Sequence, residues 1–279
     1  MPQFLFHYTT FDGLSGIIEN KCLWASQIQY LNDSQEFNLA VNIAMENLEK
    51  HPGVKSSNLN GYLLTEMKKI LVPAQNFQVF VCSFSEEEDL LSQWRGYCFP
   101  GPGFSLGFKA TNIQSLGETQ GFSLVPCLYD RPRQDKIVRE LIELALNLFN
   151  QDGERKRVIP VEEDINSINQ ISAEFAANLS FIAPIFKHPS FREEKEWRLI
   201  SPFRGLERAS FGYRKGSSFI IPYCRFKLKD NEGNFNISKI VIGPTPHREL
   251  SLNSTSSFLT SNNISGCEVL NSSTPFRNW

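Results

Sequence analysis

A chain of 279 residues with 41% hydrophobic and 12% aromatic side chains has enough apolar material to close a core, which excludes a wholly disordered polypeptide. Its 28 basic and 30 acidic side chains leave a formal charge of −2, which marks neither a general nucleic-acid binder nor an acidic tail. The charge is unevenly spread: residues 187–230 carry 11 Lys and Arg against 5 acids, a net +6, and residues 1–186 carry 14 against 22, a net −8. Such a basic region suits a phosphate-bearing ligand, or is a solvated surface with interspersed ion pairs.

Gln3 to Thr9 alternates, with Phe4, Phe6 and Tyr8 on one face and Leu5, His7 and Thr9 on the other, which predicts a strand; Leu14, Ile17 and Ile18 then predict a short helix. Cys22 to Ser26 reads as a second strand, and Asp33-x-x-Glu36 as a capping box opening a helix through Phe37, Ala40, Val41 and Ala44. The polar stretch 51–60 is expected to be a loop and Gly61 to Leu71 a helix ending before Pro73. Gln78 to Ser85 is strongly strand-like, and Ser85-x-x-Glu88 reads as a second capping box, for a helix with Leu90, Leu91 and Trp94 on its apolar stripe. Turn-rich Phe99 to Gly103 leads to strands at Phe104 to Phe108 and Phe122 to Tyr129, and helices are expected at about 134–149 and 165–186. Apolar runs at 197–200, 219–226 and 240–243 make the last third mostly sheet. Strands separated by unequal helical insertions, with no repeat or linker, predict an α+β fold in a single domain over residues 1–279.

The six cysteines, at 22, 82, 98, 127, 224 and 267, form no Cys-x-x-Cys pair and read as reduced thiols inside apolar runs. No signal peptide is visible and no apolar run approaches the length that spans a bilayer, so a cytoplasmic protein without a membrane partner is expected. The four histidines, at 7, 51, 188 and 247, are scattered, so no metal is expected. Phosphate-loop, dinucleotide and nucleophile-elbow patterns are missing too.

Four short polar segments carry the functional signal: Phe-His-Tyr-Thr at 6–9, Tyr-Leu-Asn-Asp at 30–33, Ser-Gln-Trp-Arg at 92–95 and Glu-Lys-Glu-Trp-Arg at 194–198. In an extended strand Glu194, Glu196 and Arg198 would share one face and Lys195, Trp197 and Leu199 the other. With Trp197 and Leu199 packed inward, a carboxylate and a guanidinium would be displayed side by side. Bland roles compete at each place: His7 as a structural hydrogen-bonding residue, Asp33 and Ser85 as helix caps, Trp94 as core, Arg95 as a partner of an acid at 86–89, and Glu194 and Glu196 as a solvated edge.

A His on the first strand, aromatic and hydroxyl residues on the second and an acid on a later strand resemble the ADP-ribosyltransferase superfamily. Phe6-His7-Tyr8-Thr9, the Gly-x-x-x-Ile-Ile pattern of the following helix and Leu23-Trp24-Ala25-Ser26 carry this resemblance. His-Tyr-Thr at 7–9, Leu-Asn-Asp at 31–33, Ser-Phe-Ser at 83–85, Ser-Gln-Trp-Arg at 92–95, Gly-Phe at 107–108 and Glu-x-Glu-Trp-Arg at 194–198 are similar to blocks of a bacterial family of uncharacterised proteins, over about residues 4–200. The superfamily resemblance implies a split, bent mixed β-sheet with NAD as co-substrate in the cleft and no metal. It implies His7 on a ribose hydroxyl, Glu196 as the catalytic carboxylate with Glu194 as its competitor, and Tyr8, Trp24 or Tyr30 stacked on nicotinamide. Thr9, Ser26, Asn32, Asp33, Gln93, Arg95 and Arg198 complete the implied cofactor side, Arg198 either binding a phosphate or holding the carboxylate in place. A fixed carboxylate beside the positive charge that develops as the nicotinamide–ribose bond breaks would stabilise that state above the ground state.

The expected activity is transfer of ADP-ribose from NAD to a macromolecule by a bacterial toxin or anti-phage effector. Nucleic acid, RNA in particular, is favoured as acceptor by the basic 187–230 segment, and an inhibitor or antitoxin protein is a further expected partner. A noncatalytic nucleotide-sensing or partner-docking module and an RNA phosphotransferase are the alternatives.

Overall fold

The computed structural model describes residues 1–30, 35–71, 79–98, 103–151, 159–201, 211–216, 218–230, 232–235 and 237–275, with the side chains of residues 35–37 left out. The capping box expected at Asp33, the site candidates Asn32 and Asp33, and nearly all of the turn expected at 99–103 lie outside them. The chain forms two compact units, one of residues 1–27, 80–126 and 191–279, the other of residues 28–79 and 127–190.

Among the described residues the first unit holds every strand: β1 (Phe4–Thr10), β2 (Cys22–Gln27), β3 (Phe80–Ser85), β4 (Gly103–Lys109), β5 (Ser123–Pro126), β6 (Glu196–Ile200), β7 (Phe211–Lys215), β8 (Ile220–Lys227), β9 (Lys239–Ile242) and β10 (Glu268–Asn271). They join into one mixed sheet in the order β10-β9-β4-β1-β3-β2-β8-β7, with β6 on β3 and β5 on β6. Of the paired strands among the described residues, only β9 and β10 run parallel. The helices α1 (Phe11–Asn20), α4 (Leu91–Tyr97), α5 (Ala110–Gln120) and α8 (Arg248–Ser261) belong to the same unit. An α+β architecture is therefore observed.

The strand alternation expected for β1 is what divides the core. Leu5 joins the main cluster with Leu23, Phe84, Phe108, Leu199 and Phe226, against which α1, α5 and α8 pack through Leu14, Ile18, Ile113 and Leu259. Phe6 and Tyr8 face the other way and join Trp94, Cys98 and Val241. Thr10 caps α1 by accepting a hydrogen bond from the Gly13 N–H at 3.4 Å, and α1 ends at Lys21, whose φ of 53° turns the chain into β2.

The second unit is helical: α2 (Gln35–Lys50), α3 (Leu59–Leu71), α6 (Arg131–Phe149) and α7 (Glu162–Ile182). Helix α3 packs on α7, and α6 on both α2 and α7, through buried Leu48, Leu63, Met67, Val138, Ile142 and Phe175. Asp130 caps α6 through the Arg133 N–H, so the strand expected to reach Tyr129 stops at Pro126. The helix expected to reach 186 stops at Ile182, because Pro184 cannot supply the next backbone N–H and the chain tightens into a 3₁₀ turn, Ala183–Ile185.

Three expectations need correction. Ser85 does not cap a helix: it ends β3 and α4 begins only at Leu91, with no side-chain cap at Leu90. Glu194 does not share the strand of Glu196, since it closes the 3₁₀ turn Pro189–Glu194 and Lys195, with φ 41°, breaks the extended run. The last third holds α8 as well as sheet, a helix whose weak amphipathic pattern gave no signal.

Candidate functional site

Strand β3 forks the sheet. One edge pairs with β6 along its length, from Val81 opposite Ile200 to Ser85 opposite Glu196. Its other edge meets β1 only at Phe6 opposite Ser85 and β2 only at Ser26 opposite Val81 and Gln27 opposite Phe80. Residues 82–84 thus lie where β1 and β2 diverge, and the backbone carbonyl of Ser83 is met by a side chain instead of a strand: His7 Nδ1 lies 3.0 Å from it. A neutral imidazole with its proton on Nδ1 donates this bond, leaving Nε2 as an acceptor. Burial lowers the pKa of His7, outweighing the carbonyl bond that favours the charged ring, so the neutral form prevails near pH 7. His7 still keeps part of its surface accessible.

Across β3, Glu196 and Arg198 face the same way, as the alternation predicts, but they are buried at 5% and 2% exposure and not displayed. Arg198 grips the carboxylate with both arms of its fork: Nε donates to Oε1 at 2.7 Å and Nη2 to Oε2 at 3.1 Å. A bidentate pair of this kind fixes a carboxylate in position and orientation. Trp197 and Leu199 point to the main core as expected, and the Trp197 indole N–H also donates to Glu86 at 2.7 Å. Ser85 Oγ donates to the Glu194 carbonyl at 2.7 Å and accepts from the Glu87 N–H at 3.0 Å, tying the end of β3 to the approach to β6.

The acidic run that follows β3 is held residue by residue. Glu86 takes Trp197, Glu87 takes Lys195 and Glu88 takes Lys239 at 2.8 Å. Asp89 accepts from the Trp94 indole at 2.7 Å, from the Ser272 and Thr274 hydroxyls, and from both the N–H and the hydroxyl of Ser273. Tyr8 closes the loop from below, donating to the Glu87 carbonyl at 2.7 Å and accepting from the Leu90 N–H at 2.9 Å. Its buried ring meets Trp94 edge-on at 4.7 Å. Trp94 is core, as one reading of its stripe held.

His7, Tyr8, Gln93 and Glu196 line one recess at the fork, together with Ser83, Ser85, Tyr97 and Glu194. The opening strand and the Glu-Trp-Arg strand are not adjacent, because β3 lies between them, yet both reach this recess. Glu194 arrives from its turn, so the two competing carboxylates stay together although they share no strand. Of the other candidates, Thr9 gives its carbonyl to the Cys98 thiol, Arg95 lies exposed on α4, and Arg198 is committed to Glu196. Trp24 and Ser26 are not in the recess lining. Trp24 stacks on Tyr223 at 4.4 Å and Ser26 accepts from Arg214 at 3.1 Å, on the β2–β8–β7 part of the sheet. Tyr30 closes the 3₁₀ turn Ile28–Tyr30 in the helical unit.

Sequence reasoning missed Ser83, Tyr97 and Cys82. The Ser-Phe-Ser block marked the first, but only the fork shows that its carbonyl matters. Cys82 Sγ lies 3.8 Å from His7 Nδ1, which invites a Cys–His nucleophile. Burial, with the charge of Glu196, pushes this thiol up to about 12, so at neutral pH it is a protonated core side chain. No group of three or more His, Cys, Asp or Glu side chains able to hold a metal exists among the described residues, and among them no helix is long and apolar enough to cross a membrane.

The basic segment 187–230 is less available than its net charge suggested. Lys187 and Arg198 are buried, Lys195 is paired with Glu87, and Arg214 and Arg225 are hydrogen-bonded to Ser26, Tyr223 and the Phe211 carbonyl. Residues 93–199 match a family model described as a protein of unknown function, DUF2971. That span takes in Gln93, Glu194, Glu196 and Arg198 but not His7, and covers less than half of the chain. No curated protein and no solved structure matches the chain.

Proposed function

We propose that this chain is an NAD-dependent ADP-ribosyltransferase whose chemistry is centred on Glu196 at the fork of the sheet. One observation carries the reading: a buried carboxylate, fixed by Arg198, lines the same recess as His7, whose Nδ1 is engaged by the Ser83 carbonyl. The polar set of the recess, two carboxylates, an imidazole, a Gln, two Ser and two Tyr, fits ribose hydroxyls and an amide. When bound, NAD supplies the glycosidic bond to be broken. Glu196 holds negative charge at a fixed point, His7 orients the sugar, and Gln93 on α4 faces the same space. At about 50 Å³ the recess holds a few waters, so admission of a dinucleotide requires its lining to open.

The occupation of both Glu196 oxygens by Arg198 favours a second reading, a module that binds a nucleotide without cleaving it. Nicotinamide release separates the two. Under the transferase reading the wild type frees nicotinamide from NAD, and Glu196→Gln, with an unchanged far-ultraviolet spectrum, loses activity by about 100-fold or more. Equal release by both removes Glu196 from the chemistry. Binding of NAD by both proteins with no release from either establishes the second reading.

A further inference from the structure

The face of β2 that carries Trp24 and the buried Ser26 has chemistry of its own. Register places Trp24 opposite Arg225, Ser26 opposite Tyr223 and Cys22 opposite Lys227, and Gly212 opposite Tyr223 with Arg214 opposite Ile221. Residues directly opposite share a face, so Trp24, Ser26, Tyr223, Arg225, Lys227 and Arg214 stand on one face of β2, β8 and β7. The reverse face, with Leu23, Ala25, Cys224 and Phe226, is the main core.

Its architecture is a flat aromatic stack among cations. A Cβ on Gly212 would come within 2.5 Å of the Tyr223 ring, so only glycine lets that ring lie down on the sheet. Trp24 lies on Tyr223, 4.4 Å away and 20° from parallel, and is 42% exposed. The Arg225 guanidinium is 5.4 Å from the Tyr223 centroid, and the Arg225 and Lys227 side chains are exposed. Alternation puts no acidic side chain on this face of the three strands. An indole held rigid by its neighbours and partly open to solvent is a base-stacking surface that costs little ordering entropy, and positive charge within a strand spacing of it suits a phosphodiester chain.

We propose that this face of β2, β8 and β7 binds single-stranded nucleic acid, Trp24 stacking on a base and the exposed Arg225 and Lys227 meeting the backbone phosphates. The proposal deepens the transfer reading by naming the acceptor class, yet the binding it asserts needs neither NAD nor Glu196. It also gives Trp24 and Ser26 a place outside the cofactor recess.

The test is fluorescence anisotropy of a labelled short uridine oligonucleotide with the full chain, without NAD, across a salt series. Binding is expected to weaken with salt, and Lys227→Gln to lower the slope of log K against log salt by about 0.7, the loss of one phosphate contact. Trp24→Ala is expected to weaken binding roughly 10- to 100-fold with the slope unchanged, and Trp24→Phe to restore part of it. Unchanged affinity in Trp24→Ala, equal affinity for the duplexed oligonucleotide, or equal competition by polyglutamate overturns the proposal, the last because it shows a surface for acidic protein. A thermal melt of each variant guards against misfolding, and Lys227→Gln, at an exposed position, keeps the test open if Trp24→Ala does not fold. Oligonucleotide binding without nicotinamide release would defeat the transferase reading alone, and release without such binding would defeat this proposal alone.

Discussion

Arg198 and Glu196 show how burial changes the worth of an ion pair. With both side chains nearly inaccessible, the pair gains little net stability over an apolar substitute, but removing one partner strands the other charge in a low-dielectric setting. Arg198→Met alone is therefore expected to cost about 3–5 kcal/mol in urea unfolding, and Arg198→Met combined with Glu196→Gln to recover much of it. A fully additive double variant would contradict this. Asp89 is the opposite case, a carboxylate stabilised by its donors. Burial pushes its pKa up, but the bonds from Ser272, Trp94 and Ser273 outweigh that and hold it at about 2. A folded-state value below the unfolded one contributes stability that is complete above about pH 4 and lost as pH falls toward about 2. Asp89→Ala should lose roughly 2 kcal/mol near neutrality, with the gap to wild type closing in acid; a constant gap would mean that the loss is one of packing. The block patterns singled out His7, Gln93 and Glu196, which do meet in one recess. They could not say that the Tyr8 hydroxyl is occupied by Glu87 and Leu90, because those partners are set by a loop some 80 positions away.

At the scale of elements the fork in β3 is the organising feature, and His7 is its wedge. Because the folded-state pKa of His7 lies below its ordinary value through burial, the unfolded chain takes up the proton first as pH falls. The His7 contribution is complete above about pH 6.5 and shrinks as pH drops below it. Wild-type stability should thus fall between about pH 7.5 and pH 5.5 by more than that of His7→Gln, which keeps a donor for the Ser83 carbonyl but cannot titrate. Identical pH profiles would remove His7 from the fork's energetics. Strand alternation correctly put Phe6 and Tyr8 opposite Leu5 and His7, since a two-residue period is a local property of the chain. The misplacement of Glu194 came from extending that period through Lys195, where the backbone turns left-handed to let Ser85 reach the Glu194 carbonyl. That contact spans more than a hundred residues and leaves no local trace.

At the scale of the whole molecule, the end of the described chain is stitched back to the loop after β3. Ser272, Ser273 and Thr274 supply most of the hydrogen bonds that Asp89 receives. A chain ending at Asn271 should therefore melt at a temperature close to that of Asp89→Ala, and Asp89→Ala should add little to the truncation. Additive losses would show that the tail stabilises through something else. The two unit compositions also have a sequence counterpart: the helical unit is built from the stretch between β2 and β3 and the stretch between β5 and β6, which read as helical insertions between strands. Composition and periodicity by themselves determined that this is an α+β chain with most of its strands and its longer helices in their observed places, because amphipathic periods and caps act within a few residues. Tertiary structure alone decided that β3 separates β1 from β6, that Glu196 is buried under Arg198, and that Trp24 stacks on Tyr223 opposite Arg225. Strand order and the covering of a face depend on which distant segments pair, and neither pairing nor dielectric environment is encoded in the spacing of neighbouring residues.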